Sequence, residues 1–571
     1  MMEEGEEEPL LELGSCTNGE DHDDDYDNNK GGFRTLPFII GADGLEKIAT
    51  YGLTPNMTVY LMGQYHMGMT TASNVLFLWS SATNFMQIIW AIISDSFLGQ
   101  FYTIGLGTII CFLGSILLWS TTMIPNAKPP PCDESSTHSC SPTFPQFVLL
   151  CSSLGLISIG AGGIRSSCLA FGANQLRKGK FKKTSRVKDS YFSWYYVSFT
   201  FSVLIALTCV VYIQDNLGWR VGFAVPALLL LLAVFVFFSA SLWYIKPKCE
   251  TSLVTDFAKV LVASCRNRHL KLSDGTDVLY HYKNGSSNIP PSQKLRFLNK
   301  ACIVKDPQGD TTANGFGTDS WNLCTVDQVE ELKSLIRVIP IWCSGMIMYV
   351  NISQASFPVL QAASMNRKIS SFEFPAASFN TLTVLSVIIW VLLYDRVFLP
   401  LASRVRGRQV RISTKTRMGF GVFLSFTAML VTAAVESIRR TVVAANMSAM
   451  WLIPQYCLTG FAEASNAIAQ NEFYFSELPR SMWSIAATLN WIGLAMANLV
   501  ASFILNCVDM ISKERGHKSW ISSDIDEGHY DYYYLVLAGL SMANMLYYLV
   551  CSNAYGPLKG ERNLAEEEDE F

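Results

Sequence analysis

Charge is scarce in this chain. Of 571 residues only 16% are Asp, Glu, Lys or Arg, while half are hydrophobic. A soluble protein of this length would divide into several domains with charged surfaces and polar linkers, and this composition excludes it. Metal-ligand spacings are missing as well. The fifteen cysteines are scattered, with no C-x-x-C and no Cys/His pattern, so no metal centre is expected. There is no H-E-x-x-H, no P-loop and no G-x-S-x-G, and the GLG, GAG and GFG triplets lack the third glycine of a dinucleotide loop. The chain is therefore not expected to be an enzyme, to hold a cofactor or to bind nucleic acid. The first residues also lack a basic stretch followed by an apolar one, which predicts no cleavable signal peptide.

What is present is a succession of apolar runs. Many are about 20 residues long, enough to cross roughly 30 Å of hydrocarbon. VGFAVPALLLLLAVFVFFSASLWYI (221–245) is one; TLTVLSVIIWVLLY (381–394) with its flanks is another. Spans are placed at 34–62, 72–95, 101–124, 145–173, 190–213, 219–245, 332–361, 371–395, 417–437, 449–475, 481–508 and 531–553. The predicted organisation is a disordered acidic tail (1–32), a six-helix bundle (33–245), a polar linker (246–331), a second six-helix bundle (332–553) and an acidic tail (554–571). Residues 1–30 hold twelve acids against one base, and the chain closes AEEEDEF; neither tail has an apolar pattern to fold on. SDSFLGQ (94–100) after the second span and YDRVFLP (394–400) after the eighth form a weak internal echo. Paired six-helix halves around a midplane site are how many secondary transporters are built.

Loop charge predicts the orientation. LRKGKFKKTSRVKD after span four and residues 396–417 after span eight each carry seven Lys or Arg, whereas residues 125–144 carry only Lys128. The even-to-odd loops, the linker and both tails are thus expected on the cytoplasmic side. Asn446, in an Asn-Met-Ser sequon, would face outward and accept glycan. Cys132 and Cys140 share the polar loop PPPCDESSTHSC, and an outward-facing loop would let them form a disulfide.

Three spans carry charge. In GADGLEKIATYG, Asp43, Glu46 and Lys47 stand at i, i+3 and i+4, on one helix face where Glu46 and Lys47 can each approach Asp43. A charge at the bilayer centre costs roughly 2.5–3.5 kcal/mol, so such residues pair with one another or face a watery cavity, handling protons or substrate. A shallow structural salt bridge is the alternative. Arg165 stands in the glycine-rich GAGGIRSS of span four, and Glu463 deep in span ten, with Glu472 and Glu477 nearer its end. A lone Arg and a lone Glu in different halves are expected to pair across a central cavity. Trp79, Tyr349, Phe357, Trp451 and Phe473 are aromatic candidates for the cavity wall.

FIIGADGLEKIATYG, GGIRSS and EFYFSELPRSMWSI, in that order, resemble signatures of the plant nitrate/peptide transporter family, in the proton-coupled oligopeptide transporter group of the major facilitator superfamily. The resemblance spans about residues 31–560. It implies an all-α, twelve-helix major facilitator fold in two halves, with Asp43, Glu46 and Lys47 as the proton-coupling cluster, and Arg165 and Glu463 binding substrate and gating. The family's first-span motif opens with Glu, which stands here as Asp43. Its seventh-span His in a nitrate carrier falls on Ile352, beside Asn351 and Tyr349. Thr103 occupies the family's phosphorylated Thr position, but Gln100 replaces the basic residue expected before it. The expectation is a proton-coupled symporter of a small anion or zwitterion, nitrate first, with the proton as coupling ion. An uncoupled facilitator, a carrier of peptides, hormones such as gibberellin or glucosinolates, and a substrate sensor are the alternatives. Partners are the small-molecule substrate and the lipid bilayer, with the chain a monomer or weak dimer, in the plasma membrane rather than the vacuolar membrane.

Overall fold

The computed structural model describes residues 31–130, 141–176, 185–246, 253–269, 279–282, 290–304, 321–369, 372–407, 412–441, 447–514 and 518–556. Cys132, Cys140, Asn446 and the acidic ends of the chain lie outside the described residues; every described cysteine is a free thiol. Twelve long helical spans fall where the apolar runs place them. The first is Leu36–Tyr65, the second Met69–Ile93, the third Gln100–Met123 and the fourth Phe144–Gln175. The fifth runs Ser185–Ile205 and on to Asn216, the sixth Gly218–Ser239. The seventh (Val326–Ser353, then Ser356–Ala363), the eighth (Asn380–Leu393) and the ninth (Thr414–Thr441) open the second half. The tenth (Ile453–Glu477), eleventh (Trp483–Lys513) and twelfth (Tyr530–Tyr555) complete it.

Ten of these spans are long and apolar enough to cross a membrane by composition alone. The first and tenth are not among them; they carry the charged residues Asp43, Glu46 and Lys47, and Glu463, Glu472 and Glu477.

The two halves repeat one packing plan. Spans one and six, three and four, two and four, and three and six pack together in the first half; seven and twelve, nine and ten, eight and ten, and nine and twelve do so in the second. The sequence echo has a structural counterpart. Ser94–Leu98 and Tyr394–Phe398 each fold as a π-helical turn closing the second helix of a half, with Asp95 and Asp395 in second place. Glycines set the closest approaches. A Cβ on Gly160 would sit 2.3 Å from the Cys111 nitrogen, and one on Gly162 would sit 2.6 Å from the Met86 Cβ. The GAGG run therefore locks span four against spans three and two and leaves Arg165 free to reach span one.

Between the halves, spans two and eleven pack along one side. Hydrogen bonds join the halves at mid-depth and at the end opposite the linker, here the far end. Met69 N–H donates to Ser523 Oγ (3.1 Å), Asn74 Nδ2 to Asn506 Oδ1 (2.7 Å), Ser502 Oγ to Asn74 Oδ1 (2.6 Å), Ser81 Oγ to the Ala495 carbonyl (3.0 Å) and Ser378 Oγ to the Leu207 carbonyl (3.2 Å).

The linker, read from sequence as polar and irregular, contains a helix, Leu253–Arg266. Its Val260 and Ala263 are buried with Leu298, Ala301, Cys302, Cys324 and Val329 against the start of span seven. The apolar spacing that builds it is only fourteen residues long and was masked by the polar stretches on either side.

Candidate functional site

A cavity of about 550 Å³ lies between the halves, within the range of small-molecule sites. Span one contributes Thr50, Tyr51 and Thr54, one helical turn of a single face. Span ten contributes Gln455, Thr459, Glu463 and Ala467, at i, i+4, i+8 and i+12. Arg165 enters from span four; Tyr349, Asn351 and Ile352 from span seven; Asn490 and Trp491 from span eleven. Apart from Arg165 and Glu463, the lining is uncharged.

The first-span cluster is split. Lys47 Nζ pairs with Asp43 Oδ2, donates to Tyr195 OH (3.3 Å), and stands 5.1 and 5.4 Å from the ring centres of Tyr195 and Phe199. Asp43 Oδ1 is buried with no hydrogen-bond partner among the described residues. Glu46, fully buried, turns away from Asp43 and towards span four. Arg165 Nη2 donates to Glu46 Oε1 at 3.1 Å and to Thr50 Oγ1 at 2.6 Å, with Nε 3.5 Å from Glu46 Oε2. The guanidinium carbon lies 4.7 Å from the centre of the Tyr51 ring, a cation–π contact. Pairing relieves the cost of burying these charges, provided both partners stay.

This corrects the expected pairing of Arg165 with Glu463. Both line one cavity, but Arg165 is taken by Glu46, and Glu463 makes no ion pair among the described residues. The rival partner sits in the same half, on a helix that packs directly on span four. Sequence spacing could not rank the two. Asn351 and Ile352 do reach the cavity, yet Asn351 commits its amide to the bundle interior, donating to Ser425 Oγ (2.8 Å) and Ser541 Oγ (2.7 Å). Tyr349 lines the wall with its hydroxyl donated to Asn490 Oδ1 at 2.6 Å. Of the aromatic candidates, Trp79 and Tyr349 line the cavity; Phe357 and Phe473 are buried in packing clusters and Trp451 is exposed. Thr103 is fully buried and bonds the Gly99 carbonyl (3.0 Å), which leaves its hydroxyl out of a kinase's reach in this state.

Thr50 and Tyr51 are the site residues that spacing alone did not single out. The signal was available: each lies four or five positions beyond Glu46, and Thr50 shares its face.

The geometry has close relatives. The POT family matches residues 101–521. Two Arabidopsis thaliana proteins, Protein NRT1/PTR FAMILY 1.2 and Protein NRT1/PTR FAMILY 1.1, are 48% and 49% identical to this chain. They cover 95% and 92% of it, and 93% and 92% of their own lengths. Among solved structures, the POT family transporter PepTSo, crystallised in meso, superposes with a TM-score of 0.68 at 18% identity, over 91% of this chain and 98% of that one. A POT family transporter in complex with 5-aminolevulinic acid gives 0.62 at 14% identity, over 93% and 99%. At such identities these two speak to the fold alone, that of the major facilitator superfamily. The sequence relatives carry the rest: this chain belongs to the POT family, among its plant NRT1/PTR members, and is a multi-pass membrane transporter rather than an enzyme.

Proposed function

We propose that the protein is a proton-coupled symporter of a small solute bearing an anionic group, with nitrate the first candidate, working by alternating access. The observation that carries this reading is the divided engagement of Arg165. One edge of its guanidinium is held by Glu46 and Thr50, while Nη1 makes no hydrogen bond among the described residues and the side chain lines the cavity. Protonation of Glu46 would cancel the charge that holds Arg165 and leave a full cation for an incoming oxyanion. Arg suits that task because it stays charged and offers a fork matched to two oxygens. Glu463, across the cavity with no ion pair among the described residues, is the second acid able to take a proton or meet a substrate cation. The far-end hydrogen bonds between the halves are ones that alternating access would break to open the cavity on the side that loop charge predicts to be outward.

The size of the cavity favours a second reading. At about 550 Å³ and largely apolar, it would hold an organic anion or zwitterion, such as a dipeptide or gibberellin, more snugly than nitrate. Uptake and current in oocytes offered nitrate, a dipeptide or gibberellin, at about pH 5.5 and 7.5, test both. Acid-dependent inward current with one of them supports symport and names the substrate class; uptake indifferent to pH contradicts coupling.

A further inference from the structure

Thr50 stands one turn beyond Glu46 on span one. Its Oγ1 lies 2.6 Å from Arg165 Nη2, 2.9 Å from Glu46 Oε1 and 3.0 Å from the Glu46 carbonyl oxygen. The first is the shortest polar contact Arg165 makes. A hydroxyl has one proton to donate and two lone pairs to accept with. A lone pair takes the Arg165 N–H. The single proton goes to the carboxylate or to the backbone, never to both.

We propose that Thr50 is a positioning residue whose hydroxyl turns from the Glu46 carboxylate to the Glu46 carbonyl when Glu46 is protonated, holding Arg165 in place as its charge is freed for substrate. The proposal rests on the proton-coupled reading above. With Glu46 charged, the hydroxyl donates to Oε1, and carboxylate and hydroxyl share Arg165 Nη2. With Glu46 neutral, the proton turns to the backbone, in the i−4 bond that helical threonines readily make. Thr50 then remains as a neutral acceptor on Nη2. The guanidinium keeps its seat over Tyr51 and presents Nη1 to the cavity. The other titratable groups around this cluster are Asp43, Lys47 and Tyr51 on span one, Cys111 on span three, Cys168 on span four, and Tyr191 and Tyr195 on span five. Lys47 is already engaged with Asp43 and Tyr195, and among the described residues no other hydroxyl bonds Arg165.

The test compares the full-length protein with Thr50→Val, which keeps the branched shape and deletes the hydroxyl, and Thr50→Ser, which keeps the hydroxyl. Two readouts are needed. One is nitrate uptake against pH at matched surface expression. The other is infrared titration of the purified protein, with Glu46→Gln identifying the band of the protonated Glu46 carboxyl. Thr50→Val is expected to move both midpoints to higher pH, since the charged carboxylate has lost a donor, and to raise the nitrate KM severalfold; Thr50→Ser follows the wild type. If Thr50→Val does not fold, Thr50→Cys, close in size with a weak donor, is read in its place. An infrared midpoint unchanged by loss of the hydroxyl overturns the proposal. Absent wild-type nitrate uptake removes nitrate as the substrate, and uptake that ignores pH contradicts the symport reading; in either case the infrared titration still decides the role of Thr50.

Discussion

Arg165 and Glu463 face one cavity from opposite halves, yet Arg165 is bonded to Glu46 in its own half. The cation is thereby tied to a carboxylate of its own half, and among the described residues the far carboxylate makes no ion pair.

Glu46→Gln keeps the shape of the side chain and removes its charge. It is expected to abolish the acid dependence of uptake while leaving exchange of labelled substrate across the membrane. Arg165→Ala is a harsher change, because it strands a buried carboxylate, at a cost of about 3–5 kcal/mol. Low surface expression and no uptake are expected, measured by surface labelling beside transport.

Glu463→Gln has a different signature. Among the described residues it loses no ion pair, so the thermal midpoint should stay close to that of the wild type. Transport should still change, either in its pH profile or in its preference between anionic and zwitterionic solutes. A Glu463→Gln protein with wild-type uptake at every pH and for every solute would remove Glu463 from the site.

The far-end fastening predicts an accessibility change. Asn74→Ala deletes the contacts with Asn506 and Ser502, each bond having a net worth of about 0.5–1.5 kcal/mol. The balance should move towards opening at the far end. A cysteine at Thr54 in the cavity, in a background cleared of exposed cysteines, should then react several times faster with an impermeant reagent applied from that side.

Stability at the far end rests on Arg439, fully buried and bonded through Nε and Nη2 to both oxygens of Glu436 (2.9 Å each). It also reaches Asp526 (2.6 Å) and Ser364 (3.2 Å). Arg439→Ala should cost about 3–5 kcal/mol by stranding Glu436. Asp526→Asn should cost no more than about 1 kcal/mol, because Asp526 is 64% exposed. Thermal melts in detergent separate the two.

The linker can be read by thiol chemistry. Burial pushes the Cys302 thiol up to about 12 and Cys324 up to about 11. At neutral pH both should resist maleimide until the protein is denatured, whereas exposed Cys265 on the linker helix should label in the native state. Burial also holds His281 below the usual imidazole range. The unfolded chain then binds the extra proton, so the linker unit should lose stability as pH falls through that range. Faster amide exchange over residues 296–304 on acidification would register it.

Length and apolar composition made ten of the twelve spans legible, because a bilayer demands both; the first and tenth carry charge inside them. The echo of SDSFLGQ and YDRVFLP even marked the two π-helical turns. The residues of the first-span cluster were legible as types but not as partners. Spacing allowed Glu46 or Lys47 to meet Asp43, and only packing against span four decided that Glu46 turns to Arg165. Thr50 stayed hidden because a threonine in an apolar helix is usually bonded only to its own backbone. The linker helix was missed for a different reason: its buried face is completed by residues more than thirty positions away.

The most direct test of the central claim is proton movement driven by substrate in vesicles containing the purified protein and a pH-sensitive dye. An inward gradient of the transported solute should acidify the wild-type lumen. In Glu46→Gln vesicles the solute should still exchange but the lumen should not acidify. Solute entering wild-type vesicles without any proton would contradict the account, and the bond between Arg165 and Glu46 would then be structural.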